Sequence, residues 1–150
     1  MEEELNDLAV NFFRKFSRME YALKVNSFHY GDGDAKANWS AFAASISDCF
    51  NEPREQSLAD AFAFLERNPP KKQVIRNDIL DWDDAVPQSH SNVDLMLLYV
   101  RRVRNNLFHG GKFNGQWFEP QRSFDLVTHS LVILDACIEA SAGVKAAFEG

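Results

Sequence analysis

Residues 2–28 read EEELNDLAVNFFRKFSRMEYALKVNSF. Within them Leu5, Leu8, Phe12, Phe16, Met19 and Leu23 recur at alternating steps of three and four, which lines them up on one face of a helix. No proline or glycine interrupts the segment. It is therefore predicted to form one helix of about seven turns at ~3.6 residues each, ending before the loop Gly31-Asp32-Gly33-Asp34.

The same spacing recurs downstream. Asn38 to Phe50 carries Trp39, Phe42, Ile46 and Phe50, with Asn38 or Ser40 as its cap. Ser57 to Arg67 carries Leu58, Phe62 and Leu65 and stops at Pro69-Pro70, because proline cannot continue a helix and restrains its predecessor. Ser91 caps a helix over Asn92 to His109, with Asp94 in its first turn favouring the positive end of the dipole. Gly110-Gly111 terminates it. From Pro120 to Ala140, Phe124, Val127, Leu131, Leu134 and Ile138 share a face. Leu126, Val132, Ile133 and Cys137 add apolar surface elsewhere on that segment, which predicts a central helix or a subunit contact.

Residues 71–87 read as a connecting region, since Val74-Ile75 and Ile79-Leu80 are too short to decide between a helical turn and an extended piece, and no alternating strand pattern of useful length is seen. The expected fold class is all-α: an up-and-down helical bundle of four to five helices, in one domain over residues 1–150.

Composition bounds the function. The 150 residues hold 16 Lys and Arg against 22 Asp and Glu, a formal net charge of −6. That balance argues against non-specific coating of nucleic acid, which needs many cations to neutralise phosphates. Hydrophobic residues make up 45% of the chain, too many for a disordered polymer. Cys49 and Cys137 are too few and too far apart for a disulfide scaffold, and both are expected to be reduced core residues. The acidic start Met1-Glu2-Glu3-Glu4 leads into no signal-peptide core, and no apolar run approaches the ~20 residues of a membrane span. A cytoplasmic location is expected.

Basic charge is concentrated in one stretch. Arg101, Arg102, Arg104 and Lys112 place four of the 16 basic residues within twelve positions around His109. On a helical wheel Arg104 falls inside the apolar arc, where a charge needs a partner. Arg101, Arg102, Asn105 and His109 lie together on the other face. A histidine at a helix end beside arginines suits proton exchange next to a bound phosphate. The plainer reading is that these residues complement the dipole of a last helical turn.

The run Arg104-Asn105-Asn106-Leu107-Phe108-His109, followed by glycine and ending a late helix of a small helical domain, resembles the R-x(4 to 6)-H signature of the HEPN superfamily, the higher eukaryote and prokaryote nucleotide-binding helical domain. The resemblance implies a homodimeric, metal-independent endoribonuclease of a toxin–antitoxin or phage-defence system, needing no cofactor. By that resemblance Arg104, Asn105 and His109 are catalytic: Arg104 neutralises the scissile phosphate, His109 exchanges a proton with the attacking 2′-hydroxyl or the leaving oxygen, and Asn105 positions the phosphate or the histidine. Arg101, Arg102 and Lys112 are expected to hold RNA phosphates. An acidic residue of the first helix supports the arginine in this superfamily. Glu20, which intrudes on the apolar side of that helix, is the candidate; Asp135, which intrudes on the apolar arc of the Pro120 to Ala140 helix, is a second possible partner of Arg104. The other reading of Glu20 is a long side chain escaping to solvent. The alternative within the family is a non-catalytic module that binds a nucleotide, an RNA or a nucleotidyltransferase antitoxin.

The remaining polar groups suggest less. His29 and His90 lie in loops without partners at metal-ligand spacing, and His129 reads as a core histidine. Asp78, Asp81, Asp83 and Asp84 match no calcium-loop spacing and read as a solvated segment. Lys71, Lys72 and Arg76 either extend a nucleic-acid path or decorate a loop. Gly31-x-Gly33 lacks the strand and the third glycine of a phosphate-binding loop.

Overall fold

The long apolar stripe of residues 2–28 forms helix α1, Glu2–Val25. It stops three residues early because Ser27 adopts φ 69°, and Phe28 N–H donates to Leu23 O at 2.9 Å. A left-handed residue closed by such a bond is the usual way a helix reverses out of its last turn. The computed structural model describes residues 2–51, 54–108, 112–113, 116–117 and 119–150, and of 108, 112, 113, 116 and 117 the backbone alone.

Helix α2 spans Trp39–Ile46 and continues as a 3₁₀ turn, Ser47–Phe50. Its cap is Asn38, whose side-chain oxygen accepts from Ala41 N–H at 3.0 Å. Helix α3 is Gln56–Arg67, capped by Glu55. Helix α4 is Asn92–Phe108, and Ser91 Oγ accepts from Asp94 N–H at 3.1 Å as its cap. Helix α5, Pro120–Glu139, has proline at its start, and helix α6, Ala142–Glu149, is capped by Ser141. The described residues are thus mostly helical, with six α-helices where four to five were expected.

Helix α5 packs against α1, α3, α4 and α6, which is why it is apolar on most sides. Val127, Leu131, Ile133, Leu134, Cys137 and Ile138 are all buried in one core with Phe12, Phe16, Leu23, Phe42 and Phe62. Each such side chain stabilises the fold by about 1.5–3 kcal/mol through burial. Helix α6 closes tightly on the end of α1. Asn26 Nδ2 donates to Ala22 O at 2.8 Å and Gly143 O at 3.2 Å. A Cβ on Gly143 would stand 2.6 Å from Asn26 Oδ1, so glycine permits this approach.

The connecting region is more regular than its sequence suggested. Lys72–Arg76 (β1) and Ile79–Asp83 (β2) form an antiparallel hairpin. Asn77 and Asp78 both have positive φ, 51° and 66°, the backbone of the two-residue turn whose twist matches paired strands. A second short pair joins Lys112–Phe113 (β3) to Gln116–Trp117 (β4).

Two further expectations are corrected. Asp135 is exposed and binds Lys15 Nζ at 2.6 Å, so it is not held for Arg104. Cys49 is exposed and only Cys137 is buried. His129 is half-buried and stacks on Phe64 with ring centroids 4.4 Å apart. Because burial pushes the Cys137 thiol far above its ordinary range, it stays neutral and inert. An aromatic disulfide reagent at pH ~8, near the ordinary thiol pKa, is expected to titrate one thiol in the native protein and two after denaturation. Two fast native thiols would contradict the burial of Cys137.

Candidate functional site

Helix α4 has to bury Val93, Met96, Leu97, Val100 and Val103 in the core. That constraint fixes where its polar side chains emerge. Arg101, Arg104 and Asn105 come out along the edge facing α1 and the segment before α2. There they line a cleft of about 310 Å³ with Phe16, Glu20 and Lys24 of α1 and with Lys36 and Trp39. Four cations and one carboxylate thus share one concavity on a chain of net charge −6.

The floor of the cleft is aromatic. Phe16 stacks on Trp39 with centroids 5.1 Å apart, and the Arg104 guanidinium lies 5.6 Å from the centre of the Phe16 ring. A cation over an aromatic face is attracted by the ring quadrupole. Arg104 Nη1 also donates to Asn105 Oδ1 at 3.0 Å, so the two side chains are oriented together. Glu20 is half-buried and accepts from Trp39 Nε1 at 3.4 Å. Its carboxylate is therefore in the cleft, not turned out to solvent.

Arg101 is partly buried, and its Nε donates to Leu97 O at 3.4 Å. Burial depresses its pKa, while the charges of Asp94, Tyr30 and Glu20 oppose the shift. An arginine stays protonated regardless. The consequence is a poorly hydrated cation that gains from an anionic ligand. Asp94 is itself 2% exposed and accepts from Ser40 Oγ and His90 N–H, each at 3.0 Å.

The structure thus brings together Glu20, Arg101, Arg104 and Asn105. It directs Arg102 elsewhere. One position along a helix is a rotation of about 100°, and Arg102 Nη1 donates to Pro70 O at 3.4 Å and Ala85 O at 3.3 Å. Arg102 therefore clamps the two ends of the hairpin instead of lining the cationic cleft. Arg76 is taken up by Asp81 at 3.1 Å and Asp83 at 3.7 Å, which partly neutralises the acidic cluster. Among the described residues no three His, Cys, Asp or Glu side chains are grouped to hold a metal. His109 and the side chain of Lys112 lie outside the described residues.

Sequence reasoning missed Lys24 and Lys36. Lys24 follows Glu20 by one helical turn, a spacing that puts both on one face. Nothing in the sequence near Lys36 pairs it with α4. Comparison of the chain with family models, with curated proteins and with solved structures finds no match.

Asp94→Ala would remove the acceptor of two hydrogen bonds and the foremost charge supporting Arg101. Its expected cost is about 2–3 kcal/mol, the range for hydrogen bonds to a charged group, read from urea unfolding. A variant as stable as the parent would show that these contacts do not hold the start of α4.

Proposed function

We propose that the chain is an endoribonuclease of the HEPN type. In this reading it is an up-and-down helical bundle that works as a cytoplasmic homodimer, as the toxin or effector of a toxin–antitoxin or phage-defence system. The observation that carries the proposal is the convergence of Arg104 and Asn105 with Glu20 in one cleft, joined there by Arg101, Lys24 and Lys36. These residues come from separate parts of the chain, and an arrangement of that kind is not implied by a short motif alone.

RNA carries its own nucleophile, so cleavage needs positive charge and a proton acceptor. The 2′-oxygen attacks the adjacent phosphorus and the bond from phosphorus to the 5′-oxygen breaks. The products are a 2′,3′-cyclic phosphate and a 5′-hydroxyl. One proton leaves the attacking hydroxyl and one arrives on the leaving oxygen. In the proposed mechanism His109, five positions beyond Arg104, makes these transfers, and Arg104 stabilises the charge that builds on the phosphate oxygens. Asn105 orients Arg104 through their hydrogen bond. Glu20 balances the cluster and keeps the arginines from repelling one another. A two-fold dimer would set two such clefts together and double the local charge.

Arg104→Ala is expected to slow RNA cleavage by about 100-fold or more, the scale of losing one transition-state charge partner, and excess chelator is expected to leave the parental rate unchanged. Gel analysis of end-labelled RNA reads both. An Arg104→Ala protein that cuts as fast as the parent overturns the mechanism. A parent that binds RNA tightly and leaves it intact assigns the non-catalytic module instead.

A further inference from the structure

The β1–β2 hairpin has two unlike faces. Its register pairs Gln73 with Trp82 and Ile75 with Leu80, and pairs Lys72, Val74 and Arg76 with Asp83, Asp81 and Ile79. Directly opposed residues share a face and successive residues alternate. One face therefore carries Lys72, Arg76, Asp81 and Asp83, the last three joined by ion pairs, together with Val74 and the exposed Ile79, while the other presents Gln73, Ile75, Leu80 and Trp82. Ile75, Leu80 and Trp82 are 68%, 59% and 42% exposed.

The apolar face does not end at the hairpin. Trp82 forms one wall of a cavity of about 540 Å³ that is also lined by Leu107 of α4, Leu126 and Arg122 of α5, Lys71, and Glu119, whose carboxylate lies 3.9 Å from Arg122 Nε. That volume lies within the ~300–1,000 Å³ of small-ligand sites. The segments behind the cavity are tied to α4 and α5: Arg122 donates to Pro69 O at 3.2 Å, Asn106 Nδ2 to Lys71 O at 2.7 Å, and Arg102 to Pro70 O and Ala85 O.

We propose that this cavity is a base-binding subsite for single-stranded RNA. The inference rests on the RNA-cleaving reading and names the part of the substrate that the hairpin takes. A base stacks on the exposed indole of Trp82 against Leu107 and Leu126, and Lys71 meets the phosphate beside it, while Arg122 is held by Pro69 O and Glu119. Aromatic stacking combined with flanking cations is how single strands are held without dependence on sequence. Position supports the same substrate. Residues 103, 106 and 107 of α4 border this cavity, and Arg104 and Asn105 border the cationic cleft. A strand crossing the end of α4, about 10 Å wide with its side chains, would place a phosphate in one and a base in the other. Duplex RNA, with its bases stacked and paired, has none to insert.

The test is binding of a 2′-O-methylated single-stranded oligonucleotide, which cannot be cut, measured by fluorescence anisotropy for the parent, Trp82→Ala and Trp82→Phe. Loss of stacking on one base is worth ~1–3 kcal/mol. The expected result is roughly 5- to 150-fold weaker binding by Trp82→Ala, near-parental binding by Trp82→Phe, and equal binding of a duplex by all three. Trp82→Ala binding the single strand as tightly as the parent overturns the subsite, as does a parent that binds no single strand. So does a change in oligomeric state by light scattering in place of a binding loss, which would assign the face to a second copy. The ribonuclease reading stands or falls separately on the cleavage rate of Arg104→Ala, because no step of this assay cuts RNA.

Discussion

Stacking of Phe16 on Trp39 joins α1 to α2 at the place where the arginines of α4 emerge, and the rest of the cleft depends on it. Trp39 is buried against the core and donates its indole N–H to Glu20, while Phe16 lies under the Arg104 guanidinium. Two aromatic rings thus hold one anion and one cation in a partly dry setting. Both side chains are half-buried, and contacts of this kind offset part of the hydration lost on burial.

The electrostatics follow from that arrangement. A surface of net charge −6 repels a polyanion at long range, but only over about one Debye length, some 8 Å at physiological ionic strength. Inside a concavity the solvent screens less, and four cations facing one carboxylate dominate the local field. Partial desolvation of Arg101 adds to this, since a cation that has already lost water gives up less when it meets a phosphate. The chain is acidic in sum, yet the cleft between α1 and α4 is locally basic.

Much of this was legible in the residues. The stripes of α1 and α4, the caps Asn38 and Ser91, and the central place of α5 all follow from spacing, because helical periodicity and cap chemistry are local. Glu20 and Arg104 were also visible as charges intruding on apolar arcs, although the wheel left open whether Glu20 would turn outward. The hairpin was harder. Its strands are five residues each and lack a clean alternation, and the one clue was Asn77-Asp78 between the short apolar pairs Val74-Ile75 and Ile79-Leu80, a turn pair that tolerates positive φ. Arg102 lies apart from Arg101 and Arg104 for a related reason: the helix turns consecutive side chains to different neighbours, and Arg102 meets Pro70 O and Ala85 O.

What the sequence by itself determined is the set of elements and the chemistry available on each: which faces are apolar, where helices begin, and which helix carries the arginines. The tertiary structure alone decided which of those side chains meet. Lys36 and Lys24 reach the arginine cleft, Asp135 is drawn to Lys15, and Trp82 becomes the wall of a cavity formed with α4 and α5. The physical reason is that periodicity is encoded over a few residues of local backbone geometry. The packing of one helix against another is settled by burying all the apolar faces at once, and no single segment carries that information.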